Sequence, residues 1–291
     1  MTIRNLLLVV FTTVLAVSCK KESSSDTGGG NTVAASTMLN VAYGTDPLQK
    51  MDIYLPAART AASTKVIVLI HGGAYLFGDK TDFTSYVDTL KRRLPKYAIF
   101  NINYRLATPP TNTFPTQEND VKAAMDFIAG KTSEYFISTK FALLGASAGA
   151  HLALLQAYKY SSPVKPKAVI DFFGPTNIND LYENPGIITA NQVESIVGAT
   201  PISNPNIYQQ SSPINFATTG AACPTLILQG ADDPLVNANR QSAALFGKLQ
   251  MQLLPVQYIL YPGKGHGDDW DSATFRNAFE RVESFLAQYN P

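Results

Sequence analysis

The chain has 291 residues, of which 45% are hydrophobic and 15% are charged, and its formal net charge is +1. This balance is ordinary for a globular domain with a sizeable core. It argues against a nucleic-acid partner and against a strongly acidic partner.

Residues 1–18 depart from this average pattern. Arg4 precedes an unbroken apolar stretch at 6–11, and small residues follow as far as Ser18. A charged start, a short apolar region and a small-residue cleavage zone are typical of a secretory signal. The apolar region is too short for a comfortable membrane span. We therefore expect a signal peptide over residues 1–18 and an exported protein.

The end of this signal, "AVSC", is similar to a bacterial lipobox, although Ala16 stands where leucine is usual. On that resemblance Cys19 is the lipid anchor, and residues 19–36 are a polar, flexible tether. We expect a lipoprotein on a bacterial membrane, either periplasmic or at the cell surface. The alternative is an ordinary cleaved signal that ends near a cysteine. Lipid on Cys19 leaves Cys223 as the only other cysteine, so no intramolecular disulfide is expected.

Residues 37–291 show no second low-complexity break and no internal repeat, which predicts one domain. After an initial antiparallel pair, "MLNVAYG" and "KMDIYLP", strands are predicted at Val66–Ile70, Ala98–Tyr104, Phe141–Leu144, Ala168–Phe172, Thr225–Gln229 and Val256–Tyr261. Helices are predicted around Phe83–Leu94, Gln117–Ala129, Ala148–Tyr158, Asn239–Leu249 and Ser272–Tyr289. Short apolar strands that alternate with helices indicate a mainly parallel α/β sheet covered on both faces. The functional site is then expected at the carboxyl ends of the strands.

One segment, residues 175–222, does not follow this alternation. It comes after the sixth predicted strand, is rich in Asn, Pro, Ser and Thr, and has a weak helical signal only around Ala190–Val197. A long excursion of this kind is more often a lid or a binding loop than idle sequence. We expect an insertion that acts as a lid; a decorative surface loop is the alternative.

A nucleophile is predicted at Ser147. The strand "FALL" runs into Gly145-Ala146-Ser147-Ala148-Gly149, and a helical stretch follows directly. This is G-x-S-x-G in the strand–turn–helix context that exposes a serine side chain at the top of a sheet.

A serine hydroxyl needs a base, usually a histidine that a carboxylate orients. The chain has three histidines. His151 lies one turn beyond Ser147 and is expected to pack on the helix, while His71 ends a strand and is expected to brace the next loop. His266 lies in the glycine-rich loop "YPGKGHGDDW", after the last predicted strand, which suits the chain order Ser, Asp/Glu, His. We predict that His266 is the base.

The acid is expected between these two residues, where "TLILQGADDPLV" supplies Asp232 and Asp233. This stretch resembles the G-x-x-D-x-x-V loop of many serine hydrolases, matched here by Gly230, Asp233 and Val236. The resemblance favours Asp233, with Asp232 as a solvated neighbour. Asp171, at the end of an earlier strand, is a weaker candidate.

An oxyanion site is predicted in "HGGA", which directly follows the strand Val66–Ile70. Backbone N–H groups that face the developing anion each contribute about 3–4 kcal/mol to catalysis. The expected donors are Gly73 and Ala74, together with the amide of Ala148.

Together these motifs resemble the α/β-hydrolase fold, and within it the serine esterases typified by hormone-sensitive lipase and the smaller bacterial carboxylesterases. The resemblance covers nearly all of residues 37–291 and includes "NYRL" at Asn103–Leu106 and "SPI" at Ser212–Ile214. Two departures are Ala74, where the commoner loop reads H-G-G-G, and Ala146, where the elbow often has Asp. The resemblance implies a structural role for the Tyr-Arg pair and for Asp120.

The resemblance implies a serine hydrolase that cleaves carboxylic esters through an acyl-enzyme, with no metal or cofactor. Short-acyl esters are expected, with acetyl or feruloyl groups on polysaccharide as substrates by analogy. Four aromatic residues are candidates for the substrate pocket: Tyr75, Phe77, Phe173 and Trp270. Two alternatives stay open: an amide-bond hydrolase similar to aminopeptidases or formamidases, and a hydrolase-fold binding protein without activity. The sequence does not predict the oligomeric state.

Overall fold

The computed structural model describes residues 33–291. The predicted signal peptide, the predicted anchor Cys19 and most of the predicted tether lie outside the described residues. Among residues 33–291, no helix is both long enough and apolar enough to cross a membrane.

The domain is built on one sheet of eight strands. The strands are β1 (Ser36–Ala42), β2 (Lys50–Leu55), β3 (Lys65–Ile70), β4 (Tyr97–Ile102), β5 (Phe141–Ala146), β6 (Ala168–Phe172), β7 (Thr225–Gly230) and β8 (Val256–Tyr261). Their order in the sheet is β1-β2-β4-β3-β5-β6-β7-β8. The pairs β1/β2 and β2/β4 are antiparallel, and the others are parallel. The predicted fold class is confirmed.

Helices connect the parallel strands, as the alternating pattern predicts. The helices are α1 (Thr84–Arg93), α2 (Thr116–Gly130), α3 (Thr132–Tyr135), α4 (Ala148–Lys159), α5 (Ile178–Glu183), α6 (Ala190–Val197), α7 (Pro205–Gln210), α8 (Ser242–Met251) and α9 (Ser272–Tyr289). Short 3₁₀ turns occupy Lys80–Phe83 and Pro213–Phe216.

Each face of the sheet carries its own apolar core. In β3, Val66 and Val68 belong to the core that contains α2, α4 and α8, while Ile67 and Leu69 belong to the core that contains α1 and α9. Successive side chains of a strand point to opposite faces, so a strand between two helical layers must be apolar throughout. This explains the uninterrupted apolar run of β3.

The insertion at 175–222 contains α5, α6 and α7. Asn177, Thr189 and Asn204 cap the three helices, each through a side-chain oxygen that accepts a backbone N–H. Apolar residues of the insertion pack into the α4-side core: Ile178, Leu181, Val193, Ile196, Val197 and Tyr208. The segment is therefore folded onto the domain. Its role as a lid stays a prediction.

Candidate active site

Ser147 lies at a sharp turn between β5 and α4. Its backbone angle φ is +54°, which is unfavourable for any residue other than glycine. A Cβ on Gly145 would collide with the Gly149 carbonyl, and one on Gly149 would collide with the Ile70 carbonyl. The two glycines of G-x-S-x-G are thus required for strand β5, helix α4 and strand β3 to approach this closely. The turn leaves the Ser147 side chain partly exposed at the carboxyl edge of the sheet.

His266 joins Ser147 to Asp233 through two short hydrogen bonds. Its Nδ1 donates to Asp233 Oδ2 at 2.7 Å, and its Nε2 accepts from Ser147 Oγ at 2.8 Å. This tautomer follows because a carboxylate only accepts hydrogen bonds. Three segments far apart in sequence therefore supply one continuous Ser–His–Asp series.

Asp233 is held from several sides. Its Oδ1 accepts the N–H groups of Leu235 and Val236, both at 2.8 Å, and its Oδ2 also accepts Gln229 Nε2 at 2.8 Å. Gln229 is in turn fixed by the hydroxyl of Ser242 at 2.7 Å. The Asp233 side chain is fully buried, so these donors replace water around the carboxylate. Asp232 is exposed, and its side chain makes no hydrogen bond within residues 33–291.

The loop after β3 lies directly against this serine. A Cβ on Gly72 would be 3.3 Å from Ser147 Cβ and 2.9 Å from the Ala146 carbonyl oxygen. The next three residues, Gly73, Ala74 and Tyr75, have φ values of +110°, +51° and +65°. Positive φ at three successive residues turns the chain sharply within one loop.

The Gly72 carbonyl is held by a neighbouring side chain. It accepts a hydrogen bond from His71 Nδ1 at 2.7 Å, and Tyr104 donates its hydroxyl to the His71 carbonyl at 3.0 Å. His71 also stacks on the Tyr104 ring, with 4.4 Å between the centroids. In a trans peptide the N–H is opposite the C=O, so a fixed Gly72 carbonyl fixes the Gly73 N–H.

Three amides at this position remain available as donors. Within residues 33–291, the N–H groups of Gly73, Ala74 and Ala148 have no protein acceptor. Ala148 begins α4, where the helix dipole adds a partial positive charge. The structure thus brings the three predicted oxyanion donors to the same edge as Ser147.

The other two histidines and Asp171 lie apart from this series. His151 is fully buried and bonds the Ser211 carbonyl through Nε2 at 2.6 Å, and burial lowers its pKa to about 4. Burial also lowers the pKa of His71. Asp171 Oδ1 accepts the Gly174 N–H at 2.7 Å, and burial raises the Asp171 pKa to about 7. The carboxylate that contacts His266 is Asp233.

The four predicted aromatic pocket residues separate into different environments. Phe77 is 69% exposed, whereas Tyr75 is buried behind Ala74. Phe173 packs under the His266 imidazole, with 4.7 Å between ring centroids. Trp270 is buried among Phe172, Phe173 and Tyr261, and its indole donates to the Gly265 carbonyl at 3.0 Å.

The role of Trp270 in a substrate pocket stays a prediction. The residue belongs to the core that contains α1 and α9, with 5.5 Å between its ring centroid and that of Phe275 in the first turn of α9. Its contact with Gly265 holds the loop that carries His266. Asp269 assists, since its carboxylate accepts the Gly265 N–H at 2.8 Å.

Sequence reasoning missed two supporting residues, Gln229 and Asp269. A glutamine at the end of a buried strand was a visible signal of a polar partner at this edge. Between residues 33 and 291, no cluster of three His, Cys, Asp or Glu side chains has the geometry of a metal site.

An eight-stranded, mainly parallel sheet, a strained serine elbow and a histidine after the last strand define an α/β-hydrolase. The chain belongs to the BD-FAE family, whose model matches residues 51–249. Its hormone-sensitive-lipase-like character, expected from the motifs, agrees with the esterases among its relatives.

Among curated relatives, the chain is 24% identical over 262 residues to Esterase LipC of Mycobacterium tuberculosis, covering 85% of this chain and 64% of that protein. It is 27% identical over 241 residues to Dipeptidyl aminopeptidase BIII of Pseudoxanthomonas mexicana, covering 78% of this chain and 33% of that protein. The chain thus spans less than two thirds of each of these relatives. A solved structure, described as a truncated form of a carbohydrate esterase from gut microbiota, superposes with a TM-score of 0.74 at 23% identity, over 90% of this chain and all of that one.

Proposed function

We propose that this protein is a serine hydrolase that cleaves carboxylic esters through an acyl-enzyme. The observation that carries the proposal is the unbroken hydrogen-bond series from Ser147 through His266 to Asp233, beside unoccupied backbone donors. The named function of LipC, an esterase, supports it.

Acylation begins when Ser147 Oγ attacks the ester carbonyl carbon and gives its proton to His266 Nε2. The carbonyl oxygen becomes an anion, which the N–H groups of Gly73, Ala74 and Ala148 stabilise. The tetrahedral intermediate then collapses: the bond to the alcohol oxygen breaks, and His266 donates the proton to that oxygen. The alcohol leaves, and the acyl group remains on Ser147.

Deacylation repeats these steps with water. A water molecule gives a proton to His266 Nε2 and attacks the acyl carbon, and the same three amides stabilise the second anion. The bond to Ser147 Oγ breaks, and Oγ recovers the proton from His266. A carboxylic acid is released. Asp233 stays ionised throughout and stabilises the imidazolium that forms twice in each turnover.

A short-acyl ester of a polysaccharide is the proposed substrate class. A cleft of about 400 Å³ lies beside the acid loop, lined by Asp233, Pro234, residues of the insertion and residues of the segment before α8. Its polar walls include Asn184, Asn237 and Gln241. Amide and carboxylate groups of this kind suit the hydroxyls of a sugar, which is the alcohol part of such an ester.

The test combines a covalent probe with ester substrates. We expect a fluorophosphonate to label the wild type at Ser147 alone and to leave Ser147→Ala unlabelled, because only an activated serine reacts. Aryl esters and acetylated xylan should be hydrolysed by the wild type and not by the variant. Equal labelling of both proteins would contradict the assignment of the nucleophile.

Amide hydrolysis is the second candidate, and the match to Dipeptidyl aminopeptidase BIII favours it. The same proton transfers cleave an amide when His266 protonates the departing amine. Aminoacyl anilides, measured beside the esters, decide between the two: a higher kcat/KM for the anilides would assign an amidase. A wild type that is not labelled and turns over neither class would leave only a binding protein of this fold.

A further inference from the structure

A small apolar cavity lies beside the predicted oxyanion loop. Its volume is about 20 Å³. The insertion supplies most of its walls, and the loop and the segment before α2 supply the rest. The lining residues are Ala74, Tyr75, Phe114, Ile178, Leu181, Ile188, Val193, Ile196 and Val197.

The cavity and the proposed oxyanion site share one residue, Ala74. If the carbonyl carbon is at Ser147 Oγ and its oxygen is at the Ala74 N–H, the acyl substituent is one bond from that carbon. It therefore lies within a few ångströms of Ala74, which forms one wall of the cavity. This step rests on the proposed function, since it uses the proposed oxyanion donors.

The size of the cavity limits the group that it accepts. A volume of roughly 10–15 Å³ admits one water-sized object, so about 20 Å³ admits one methyl group and excludes an aromatic ring. Most of the lining residues are buried members of the α4-side core, whose packing fixes them. A longer acyl chain enters only if α5 or α6 moves.

The chemistry of the walls favours a methyl group over water. The hydroxyl of Tyr75 is the only polar side-chain atom among the lining residues, and it has no hydrogen-bond partner within residues 33–291. A stably bound water needs two to four polar partners. An apolar group of the same size needs no hydrogen-bond partner there and gains van der Waals contact with the surrounding isoleucines and valines.

We propose that this cavity is the acyl-binding site and that it selects acetyl esters over feruloyl and longer acyl esters. The insertion at 175–222 then determines acyl length, because its helices α5 and α6 supply five of the nine lining residues. Hydrolysis releases acetate.

The experiment enlarges the cavity and compares acyl lengths. Ile188→Ala removes a half-buried lining side chain, and Ile207→Ala removes a half-buried isoleucine of the same insertion that does not line the cavity. For each protein, kcat/KM is measured on 4-nitrophenyl acetate, butyrate and hexanoate and on methyl ferulate. One methylene in such a pocket changes discrimination by roughly 10-fold or more.

We expect the wild type to prefer acetate, and Ile188→Ala to raise the butyrate-to-acetate ratio by about 10-fold, while Ile207→Ala leaves the ratio unchanged. Val197→Ala supplies a second enlargement if Ile188→Ala does not fold. A wild type that prefers hexanoate or methyl ferulate, or an equal shift in Ile207→Ala, overturns the proposal. Fluorophosphonate labelling separates this failure from failure of the proposed function: a labelled enzyme with the wrong order of acyl lengths refutes only the acyl site.

Discussion

At the scale of single residues, the two adjacent carboxylates have opposite environments. Asp233 is buried and accepts four hydrogen bonds, whereas Asp232 is exposed to solvent. An asparagine at 233 would keep its oxygen on the amides of Leu235 and Val236 and turn its NH₂ toward His266. That NH₂ donates to Nδ1 and moves the imidazole proton to Nε2, where it blocks acceptance from Ser147.

We therefore expect Asp233→Asn to lose several orders of magnitude in kcat while the protein stays folded. In a serine protease with the same three groups, replacing the triad aspartate by asparagine costs about 10⁴-fold in kcat. Asp232→Asn should stay within about tenfold of the wild type, because solvent screens its field. Steady-state kinetics on one aryl ester compares the two variants. If Asp232→Asn is the inactive one, the acid is the neighbouring residue and not Asp233.

Asp171 provides a pH-dependent prediction of a different kind. Burial raises its pKa from 3.8 to about 7, so between these values the folded protein retains a proton that the unfolded chain has lost. Stability from this residue is present below pH 4 and is lost as the pH rises through 7. Asparagine keeps the acceptor for Gly174 and does not titrate.

We expect the free energy of unfolding of Asp171→Asn, relative to the wild type, to increase from pH 4.5 to pH 8. Urea unfolding at the two pH values measures it. Asp232→Asn, a change of the same kind at an exposed position, is the matched control. A pH-independent difference for Asp171→Asn would show that Asp171 is already ionised in the folded state.

At the scale of elements, the turn at Ser147 requires a glycine at position 149 of α4. Gly247 of α8, a helical glycine with space around it, serves as the comparison. A Cβ on Gly149 of α4 would collide with the Ile70 carbonyl, while one on Gly247 of α8 would meet nothing within 4 Å. We expect Gly149→Ala to destabilise the fold by about 1–3 kcal/mol or more and to abolish activity. Gly247→Ala should stabilise it by roughly 0.5–1 kcal/mol. Chemical denaturation of both proteins checks the contrast, and equal effects would contradict the close packing of α4 on β3.

The sequence predicts the regular elements better than the insertion. The bounds of β6, β8 and α9 coincide with their predicted ranges, because each has a long apolar pattern with a clear boundary. Helices α5 and α7 were not predicted. Each has six residues, too few to show a helical period, and each is stabilised by an asparagine cap and by tertiary packing.

In the site, too, motifs predict some features, while others depend on backbone geometry and packing. Motif context was enough to bring Ser147 and His266 together in prediction, since each occupies a defined place after a strand. The fixed Gly72 carbonyl and the left-handed backbone of Ala74 and Tyr75 were not predictable, because residues other than glycine rarely adopt positive φ. The inward position of Trp270 depends on how α9 packs, which local sequence does not reveal.

At the scale of the whole molecule, the predicted signal and anchor concern where the domain is located. We propose that the protein is exported and anchored through Cys19, on the lipobox-like "AVSC" and the polar residues that follow. Cys19→Ser should abolish incorporation of labelled fatty acid and release the protein from the membrane fraction, or leave it unprocessed. Wild-type protein that takes up no fatty acid in a suitable bacterial host would refute the anchor.

The way in which Asp233 is held has a consequence for a protein that lacks its base. Two backbone amides and Gln229 fix the carboxylate without any contribution from His266. Removing the imidazole in His266→Gly should leave an oriented acceptor, an exposed hydroxyl and a ring-sized vacancy above Phe173. Free imidazole added to the solution can fill that space and restore turnover, with a saturable dependence that is absent when Ser147→Ala is added to the same variant. The surrounding protein would then bind and orient an imidazole as the catalytic base even when the imidazole is not part of the chain.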